Sequence, residues 1–458
     1  MSSKNTMKRR DFLKIIGVGT AAVSSVAYTK ASEKAPFGMK AFLSPEGTPQ
    51  MTMRTDAAGE KISLLGYGGM RWPTKQTGGN TRGEIIDQDK VNGLIEYAMK
   101  HGINYYDTAP VYHGGQSEHA MGIALSNYPR ESFHIATKLS NFDASKWTLE
   151  NAKEIYENSF KQLGVNYIDF YLLHSVGPGK DSFDQRFVNN GILDFLVSER
   201  QKGKIKHLGF SFHGDRESFL HALNSNIKWD FVQIQLNYFD WTQDADNKPS
   251  ASYMYEELVK RHLPVVVMEP LLGGRLAKLN DKILAELKKR DPELSPASWA
   301  FRFVGSLPGV LTTLSGMTYM EHLKEDITVF SPLKAVTDAD KNFLQETAVA
   351  MMKYPVIPCT GCRYCMPCPF GLDIPANFAY FNKCLEAGNI PASKQSANYV
   401  KAREAFLGNF SKSVREKKQS IHCTACGHCL PLCPQHIKIP DQMKRINTLV
   451  QNLKNNTL

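Results

Sequence analysis

The chain has 458 residues, 42% of them hydrophobic and 22% charged, so it can hold a large domain and a smaller one and is not a disordered polymer. Its net charge of +10 is a modest excess for this length, and no basic patch interleaved with aromatic residues occurs, which argues against nucleic-acid binding. Beyond the N-terminus, no apolar run approaches the about 20 residues needed to span a bilayer.

The N-terminus has the composition of an export signal. Arg9–Lys14 has the sequence RRDFLK, and an apolar stretch rich in small residues follows over Ile15–Tyr28. This pattern resembles a twin-arginine signal. The resemblance implies export of the folded, cofactor-loaded protein to the periplasm, with Ser25–Ala27 as a candidate cleavage site. The alternatives are an uncleaved membrane anchor and a cytoplasmic protein. We assign 1–30 to the signal segment and 31–58 to a linker.

From about residue 60, short apolar segments alternate with amphipathic ones. Runs such as Phe170–Leu173 are apolar throughout, as expected of strands covered on both faces. Eight β-then-α units predict a (β/α)8 TIM barrel over residues 59–350. The alternative, an open doubly wound sheet, requires an early GxGxxG turn that Gly66–Gly69 does not supply. The predicted strands are Ile62–Gly66, Ile103–Tyr106, Phe133–Lys138, Tyr167–His174, Ile205–Ser211, Phe231–Leu236, Val265–Met268 and Val310–Ser315.

Polar side chains stand at the ends of three successive predicted strands. Asp107 follows the second strand, with Tyr112 in the loop after it. Lys138 ends the third strand, and His174 ends the fourth. In a TIM barrel the C-terminal ends of the strands meet at one face, where catalytic residues lie. A single Lys or His at a strand end is more often structural, but the four together predict one convergent site.

The motifs DTAPVY at 107–112, ATK at 136–138 and YLLH at 171–174 resemble those of aldo/keto reductases, and the resemblance runs over roughly 60–330. It implies that the four polar residues form a catalytic tetrad for carbonyl reduction. Tyr112 would supply the proton, and the Lys138 cation beside it would lower its pKa from about 10. Asp107 would hold Lys138 in place, and His174 would orient the substrate oxygen.

The nucleotide positions of that family are matched less well. By resemblance they are, from the nicotinamide through the pyrophosphate to the adenine side, Ser211, Gln233, Gly273, Gly274, Arg275, Glu325 and Asp326. Phe212 and Met268 replace the family's Asn and stacking Tyr, and Gly316 and His322 replace the cations that clamp the 2′-phosphate. Because phosphate recognition uses fixed bidentate cations, NAD(P)H stays open as a cofactor, without a predicted preference for NADP.

The nine cysteines all lie at or after Cys359, and eight of them form two tight runs. A disulfide framework would spread its cysteines through the fold, and zinc sites use pairs separated by a loop. The second run, Cys423–Pro434, has the C-x2-C-x2-C-x3-C-P spacing of bacterial [4Fe–4S] proteins, and the first, Cys359–Pro369, is one residue shorter in its last gap. The remaining Cys384 is interpreted as a small buried hydrophobic residue.

In two-cluster ferredoxins the fourth cysteine of each run ligates the other run's cluster. We therefore expect one [4Fe–4S] cluster on Cys359, Cys362, Cys365 and Cys433, and a second on Cys423, Cys426, Cys429 and Cys368. A helical insert rich in Lys and Asn separates the runs, which predicts a small, mainly helical ferredoxin-type domain over 351–458. It resembles the dicluster tail of some bacterial aldo/keto reductases.

These patterns together predict an exported iron–sulfur oxidoreductase of the aldo/keto reductase type. It would reduce a carbonyl, or oxidise an alcohol, with electron transfer through two [4Fe–4S] clusters. The expected partners are a small carbonyl or alcohol substrate and a redox partner protein or electron carrier, with membrane contact only through an uncleaved signal segment. The alternative is an electron-carrier protein whose barrel is a docking or ligand-binding scaffold without turnover.

Overall fold

The computed structural model describes residues 50–56, 59–75, 85–177, 179–244, 248–352, 356–433 and 435–458. The proposed signal segment and most of the linker lie outside these ranges, so their assignments stay predictions. Among the described helices, none combines the length and the apolar character that crossing a membrane requires.

Eight parallel strands close into a barrel in which each strand pairs with the next along the chain and the last pairs with the first. The predicted TIM barrel is therefore confirmed. The strands are β1 Leu65–Gly68, β2 Tyr105–Asp107, β3 His134–Leu139, β4 Ile168–Val176, β5 Ile205–Phe212, β6 Phe231–Gln235, β7 Val265–Met268 and β8 Val310–Ser315.

The first strand differs from its prediction over Ile62–Gly66. Residues Lys61–Ser63 pair antiparallel with Met53–Thr55 as a hairpin, and the barrel strand begins only at Leu65. Ile62 is fully buried against the lowest side chains of the barrel interior. Its apolar character therefore marks the floor of the barrel rather than a barrel strand.

Helices follow the strands on the outside of the barrel. They are α1 Gln88–Lys100, α2 Ser117–Leu125, α3 Leu149–Leu163, α4 Lys180–Phe183, α5 Ile192–Gln201, α6 Arg216–Leu223, α7 Ala251–Lys260, α8 Asp281–Arg290, α9 Pro296–Gly305, α10 Met320–Phe330 and α11 Asp338–Met352. Their ends follow local sequence signals. The side chain of Thr148 accepts a hydrogen bond from the Asn151 amide at the start of α3, and Gly164 ends this helix with a φ of 67°.

Alternation along the strands decides which side chains enter the barrel. Tyr105, Ala136 and Phe170 form part of a buried interior layer. Because successive side chains of a strand point to opposite faces, the residues two positions further along point into the barrel as well. Asp107 and Lys138 are these residues on β2 and β3, which places them at the C-terminal mouth.

The region after α11 has a hydrophobic core of its own. Three helices form it: α12 Ile374–Glu386, α13 Tyr399–Ser413 and α14 Ile439–Asn455. They bury Phe378, Phe406 and Met443 against one another, and the two cysteine runs are loops at the edge of this core. The small helical domain after the barrel agrees with the prediction.

Asp326, on α10, is a carboxyl group enclosed between this helix and β8. It is 4% exposed, and the Ser315 hydroxyl donates to Oδ2 at 2.7 Å. Burial raises the pKa of Asp326 to about 8, against the opposing effect of the Ser315 hydrogen bond. The side chain is therefore mainly protonated at neutral pH.

Gly122 tests the packing of α2 on α3. A Cβ at this position would lie 2.7 Å from the Leu163 carbonyl oxygen and 2.8 Å from that of Gln162, both backbone atoms. We expect Gly122→Ala to lower the free energy of unfolding by about 1–3 kcal/mol. Gly93→Ala in α1, where a Cβ meets nothing within 4 Å, should leave it equal or raise it by up to about 1 kcal/mol. Urea unfolding followed by circular dichroism measures both, and equal effects would contradict the close approach.

Asp326 makes stability depend on pH. Its folded pKa lies above its unfolded value, so the folded state holds the extra proton and loses stability as pH rises towards 8. We expect Asp326→Asn, which keeps the shape of the protonated group, to remove a decline of about 1 kcal/mol per pH unit between about pH 6 and 8. Glu321→Gln, on the exposed side of α10, is the control. An undiminished decline in Asp326→Asn would show that another group causes it.

Candidate functional site

Asp107 and Lys138 form a buried ion pair at the barrel mouth. Lys138 Nζ donates to both carboxylate oxygens of Asp107 at 2.7 and 2.8 Å, and to the carbonyl oxygen of Thr108 at 2.7 Å. Burial lowers the pKa of Lys138 and raises that of Asp107, and their mutual attraction opposes both shifts. An ammonium group has three donors, so the contacts with Asp107 and Thr108 use all the donors of Lys138.

Tyr112 begins a short helical turn after β2 and is 8% exposed. Lys138 Nζ lies 5.0 Å from the centre of its ring. The expected lowering of the Tyr112 pKa is not found: burial raises this pKa well above the usual value, and Tyr364 and Asp107 add to the effect. The physical reason is that the donors of Lys138 are used by Asp107 and Thr108, while the phenol is buried. Tyr112 therefore holds its proton firmly.

His174 is buried at the end of β4 and is 2% exposed. Burial, followed by the charge of Lys138, lowers its pKa well below 6.5, so the ring is neutral. Nδ1 is 2.6 Å from the Ser140 hydroxyl, and Nε2 is 3.2 Å from the Tyr364 hydroxyl. Ser140 can donate or accept, so it can match either tautomer of the ring. The ring stands edge-on to Tyr112 with 5.9 Å between centroids.

Tyr364 is a residue of this site that the sequence analysis did not indicate. It lies between Cys362 and Cys365 in the first cysteine run, and its side chain enters the barrel mouth. Its hydroxyl is hydrogen-bonded to Tyr112 as well as to His174. An aromatic residue between cluster cysteines is visible in the sequence, but only the docking of the two domains shows what it contacts.

Two further residues support the end of β4. Ser140 follows Lys138 by two positions, so the alternation of β3 could have indicated that it faces the site. Arg186 donates to the carbonyl oxygens of His174 at 2.8 Å and Ser175 at 3.0 Å, and to Asn141 Oδ1 at 3.0 Å. The guanidinium group fixes the backbone that carries His174, a long-range contact without a sequence signal.

The two cysteine runs enclose two cavities. One, of about 310 Å³, is lined by the four cysteines predicted for the first cluster: Cys359, Cys362, Cys365 and Cys433. The other, of about 380 Å³, is lined by the second predicted set together with Cys365: Cys368, Cys423, Cys426 and Cys429. Cavities surrounded by thiols on several sides suit cubane clusters, so the residues present fit the groups that the spacing predicts. Cys384 is 5% exposed in the core of the small domain, between the side chains of helices.

The predicted nicotinamide contacts lie in the barrel interior. Ser211 Oγ accepts a hydrogen bond from the Ser175 amide at 2.8 Å. Gln233 Nε2 is 3.5 Å from the sulfur of Met268, and its Oε1 is buried without a partner among the described residues. Both side chains lie at about the same height along the barrel axis as the tetrad, but the Ser211 hydroxyl already has a backbone partner.

The predicted pyrophosphate and adenine positions have other contacts. Gly273 lies directly against Thr360 of the first cysteine run. Burial lowers the pKa of Arg275, and the charges of Asp240 and Glu386 oppose this shift. Glu325 accepts from the Ser295 hydroxyl, and Asp326 is enclosed with Ser315 as described above. Each of these residues thus contacts a different partner in the structure, and their assignment to a nucleotide stays a prediction.

Comparison with known proteins identifies both parts of the chain. The model of the aldo/keto reductase family matches residues 64–340, more than half of the chain, and that of the 4Fe-4S dicluster domain matches residues 358–439.

Individual relatives match the barrel part. A probable aldo-keto reductase 1 of Glycine max is 31% identical over 197 residues, which are 42% of this chain and 52% of that protein. An NADH-specific methylglyoxal reductase of Escherichia coli is 25% identical over 306 residues, covering 59% of this chain and 90% of that protein. The solved structure of aldo-keto reductase AKR11C1 from Bacillus halodurans has a TM-score of 0.52 at 22% identity, covering 65% of this chain and 96% of that one, and shows the shared fold. The chain belongs to the aldo/keto reductase family and is an iron–sulfur oxidoreductase with a 4Fe-4S dicluster domain after its barrel.

Proposed function

We propose that the protein reduces a small carbonyl compound to an alcohol, or catalyses the reverse oxidation, with electrons that pass through two [4Fe–4S] clusters. The observation that carries this proposal is the convergence of Tyr112, His174 and the Asp107–Lys138 pair directly beneath the first cysteine run. Tyr364 connects the two, because its hydroxyl contacts the tetrad while its backbone lies between two cysteines.

The barrel residues supply binding and proton chemistry. Reduction of a carbonyl to an alcohol takes up two electrons and two protons. Tyr112 gives one proton to the carbonyl oxygen as negative charge develops there, since a phenol with a raised pKa releases its proton only to a strong base. The second proton, which goes to the carbonyl carbon, and the proton that restores Tyr112 come from solvent, and the two electrons come one at a time from the redox partner. The neutral His174 orients that oxygen through Nε2 once the Tyr364 hydroxyl, which is 3.2 Å from Nε2 in this structure, gives up that contact. The Asp107–Lys138 pair places a compensated cation near the Tyr112 ring, where it stabilises the phenolate once it forms.

Eight thiolates in two crossed sets would hold the clusters. The first run and Cys433 form one set, and the second run and Cys368 form the other. Such clusters, when bound, supply electrons one at a time. The redox partner that reloads them would be an electron-carrier protein, and the ferredoxin-type domain supports this choice.

The name of the Escherichia coli relative suggests which substrate to try first. That protein is a methylglyoxal reductase specific for NADH. We propose a small carbonyl substrate for the present chain as well, with methylglyoxal as the first probe. Preference for NADP is not proposed, because Gly316 and His322 stand where the family's phosphate clamp is expected.

The twin-arginine pattern supports a periplasmic location, in which the folded protein receives its clusters before export. A protein outside the cytosol has no evident supply of reduced nucleotide, and this agrees with electron delivery through the clusters. Cell fractionation with Arg9→Lys and Arg10→Lys tests the location: retention of the double variant in the cytosol supports it, and unchanged distribution contradicts it.

Removal of the Tyr112 hydroxyl tests the acid. Tyr112→Phe keeps the ring and removes the proton, so the rate of methylglyoxal reduction should fall by about 10²–10⁴. The measurement is the anaerobic oxidation of reduced methyl viologen by methylglyoxal, with Tyr128→Phe as a control away from the site. Unchanged turnover in Tyr112→Phe would contradict the assigned acid. Clusters that a partner reduces, in a protein without carbonyl turnover, would favour the electron-carrier alternative.

Removal of Cys433 tests the crossed ligand sets. The protein purified without oxygen should contain about eight iron atoms, as two cubanes require. Cys433→Ala should lose about half of them, because it removes one ligand from the first run's cluster. Cys384→Ser should leave the iron content unchanged. Stoichiometric zinc without iron, or full iron content in Cys433→Ala, would refute the assignment.

A further inference from the structure

The first cysteine run lies across the mouth of the barrel and is held there at several points. Arg71, after β1, donates to the Thr360 carbonyl oxygen at 2.8 Å. Tyr364 contacts His174 at the end of β4. His436, just after the second run, donates to the carbonyl oxygen of His213 after β5 at 3.1 Å. The domain is thus attached around the rim of the barrel rather than along one side.

The tightest contact is between Thr360 and the glycine turn after β7. A Cβ on Gly273 would overlap Cα, Cβ and the carbonyl oxygen of Thr360. Thr360 is itself 4% exposed. No space for a pyrophosphate therefore remains between this turn and the cysteine loop. Burial lowers the pKa of Arg275, two residues later, and its guanidinium group lies 5.4 Å from the ring centre of Phe239.

The position that the family gives to a phosphate clamp is also filled from within the chain. A side chain at Gly316 would meet Cβ, Cγ and Cδ of Arg71 at 3.2–3.3 Å. Glycine at this position leaves room for the Arg71 side chain, which continues to Thr360. The loss of the clamp thus has a structural explanation, because it admits the residue that anchors the cysteine loop.

The same loop also covers the tetrad end of the site. The hydroxyl of Tyr364 contacts both Tyr112 and Nε2 of His174. Phe142 packs beside it at a tilt, with its ring centre 4.9 Å from His174 and 5.8 Å from Tyr364. A nicotinamide ring that approached the tetrad from this side would meet the tyrosine and the loop behind it. The residues present therefore do not fit a dinucleotide.

We propose that the first cysteine loop, residues 359–365, takes the place of a nicotinamide nucleotide in this barrel. It covers the glycine turn with Thr360 and brings Tyr364, between two cysteines, to the tetrad. The proposal rests on the proposed function for its chemistry and deepens it, because it names the first run as the one that faces the substrate. It excludes NADH and NADPH from the site of the intact protein.

Two neighbouring glycines give a matched test of the docking. Gly273 and Gly274 have φ angles of 66° and 94°, so alanine strains the backbone at both positions. Only at Gly273 does the added Cβ meet Thr360, since nothing lies within 4 Å at Gly274. Hydrogen–deuterium exchange of the anaerobic, cluster-loaded protein should rise by about fivefold or more over residues 356–366 in Gly273→Ala, and by less than about twofold in Gly274→Ala. Equal exchange in the two variants would overturn the proposed docking.

A pair of tyrosines tests the anchor at the tetrad. Tyr364→Phe removes the hydrogen bonds to Tyr112 and His174, and exchange over residues 356–366 should increase. Tyr399→Phe is the control, because its hydroxyl donates to Asn456 within the small domain at 2.9 Å and does not touch the barrel. An increase in both variants, or in neither, would contradict the anchoring role of Tyr364.

Nucleotide exclusion is measured on the same protein. NADH or NADPH at about 1 mM should leave exchange of the Leu272–Ala277 turn and of residues 356–366 unchanged, because neither binds there. Protection of the turn by either nucleotide would overturn the proposal. These readouts do not involve catalysis, so an absence of methylglyoxal turnover would count against the proposed function and leave the docking result standing.

Discussion

The hydrogen bonds of Tyr364 link two units that otherwise have separate hydrophobic cores. One core surrounds the barrel, and the other lies between the three helices of the small domain. Because Tyr364 is flanked by Cys362 and Cys365, its contact with His174 also fixes where these thiols lie relative to the tetrad. Burial is the largest cause of the raised pKa of Tyr112, and Tyr364, Asp107 and Cys362 add to it in smaller amounts. Docking therefore decides which cysteine run faces the tetrad.

The same docking buries the site, and burial determines the protonation of its residues. His174 is neutral and Tyr112 keeps its proton, since burial disfavours the charged form of both. Lys138 and Asp107 stay in the site because each satisfies the other: breaking such a pair leaves an unpaired buried charge, at a cost of about 3–5 kcal/mol. The pair therefore acts on Tyr112 through its fixed electrostatic field and does not serve as a hydrogen-bond partner of Tyr112.

Glycines that the family resemblance links to a nucleotide have another use in this chain. Gly273 allows Thr360 to pack directly against the backbone, and Gly316 leaves space for Arg71. Both glycines permit close approach, which is also what a phosphate site needs, so the residue type is the same and the occupant differs. The departures at Met268 and His322 agree with this picture, because a site without a nucleotide needs neither a stacking ring nor a phosphate clamp.

The sequence by itself determined the architecture and the local chemistry. Eight apolar segments in alternation with amphipathic ones specify the barrel, since strand and helix periods are properties of neighbouring residues. Strand alternation places Asp107 and Lys138 inside the barrel, and the spacing of the cysteines defines two runs typical of iron–sulfur proteins. The apolar Ile62 also stands out in the sequence. Its role at the barrel floor, however, depends on a hairpin that pairs residues 53–55 with 61–63.

Only the tertiary structure decided how the two halves meet. Tyr364 and His174 are 190 residues apart in the chain, and no pattern of neighbours predicts their contact. The raised pKa of Tyr112 depends on burial by this distant loop, which is why a reading based on Lys138 alone gave the opposite direction. The glycine turn after β7 likewise looked available for a phosphate until Thr360 was seen against it. Local patterns specify which groups are present, whereas long-range packing determines the burial, charge and space around them.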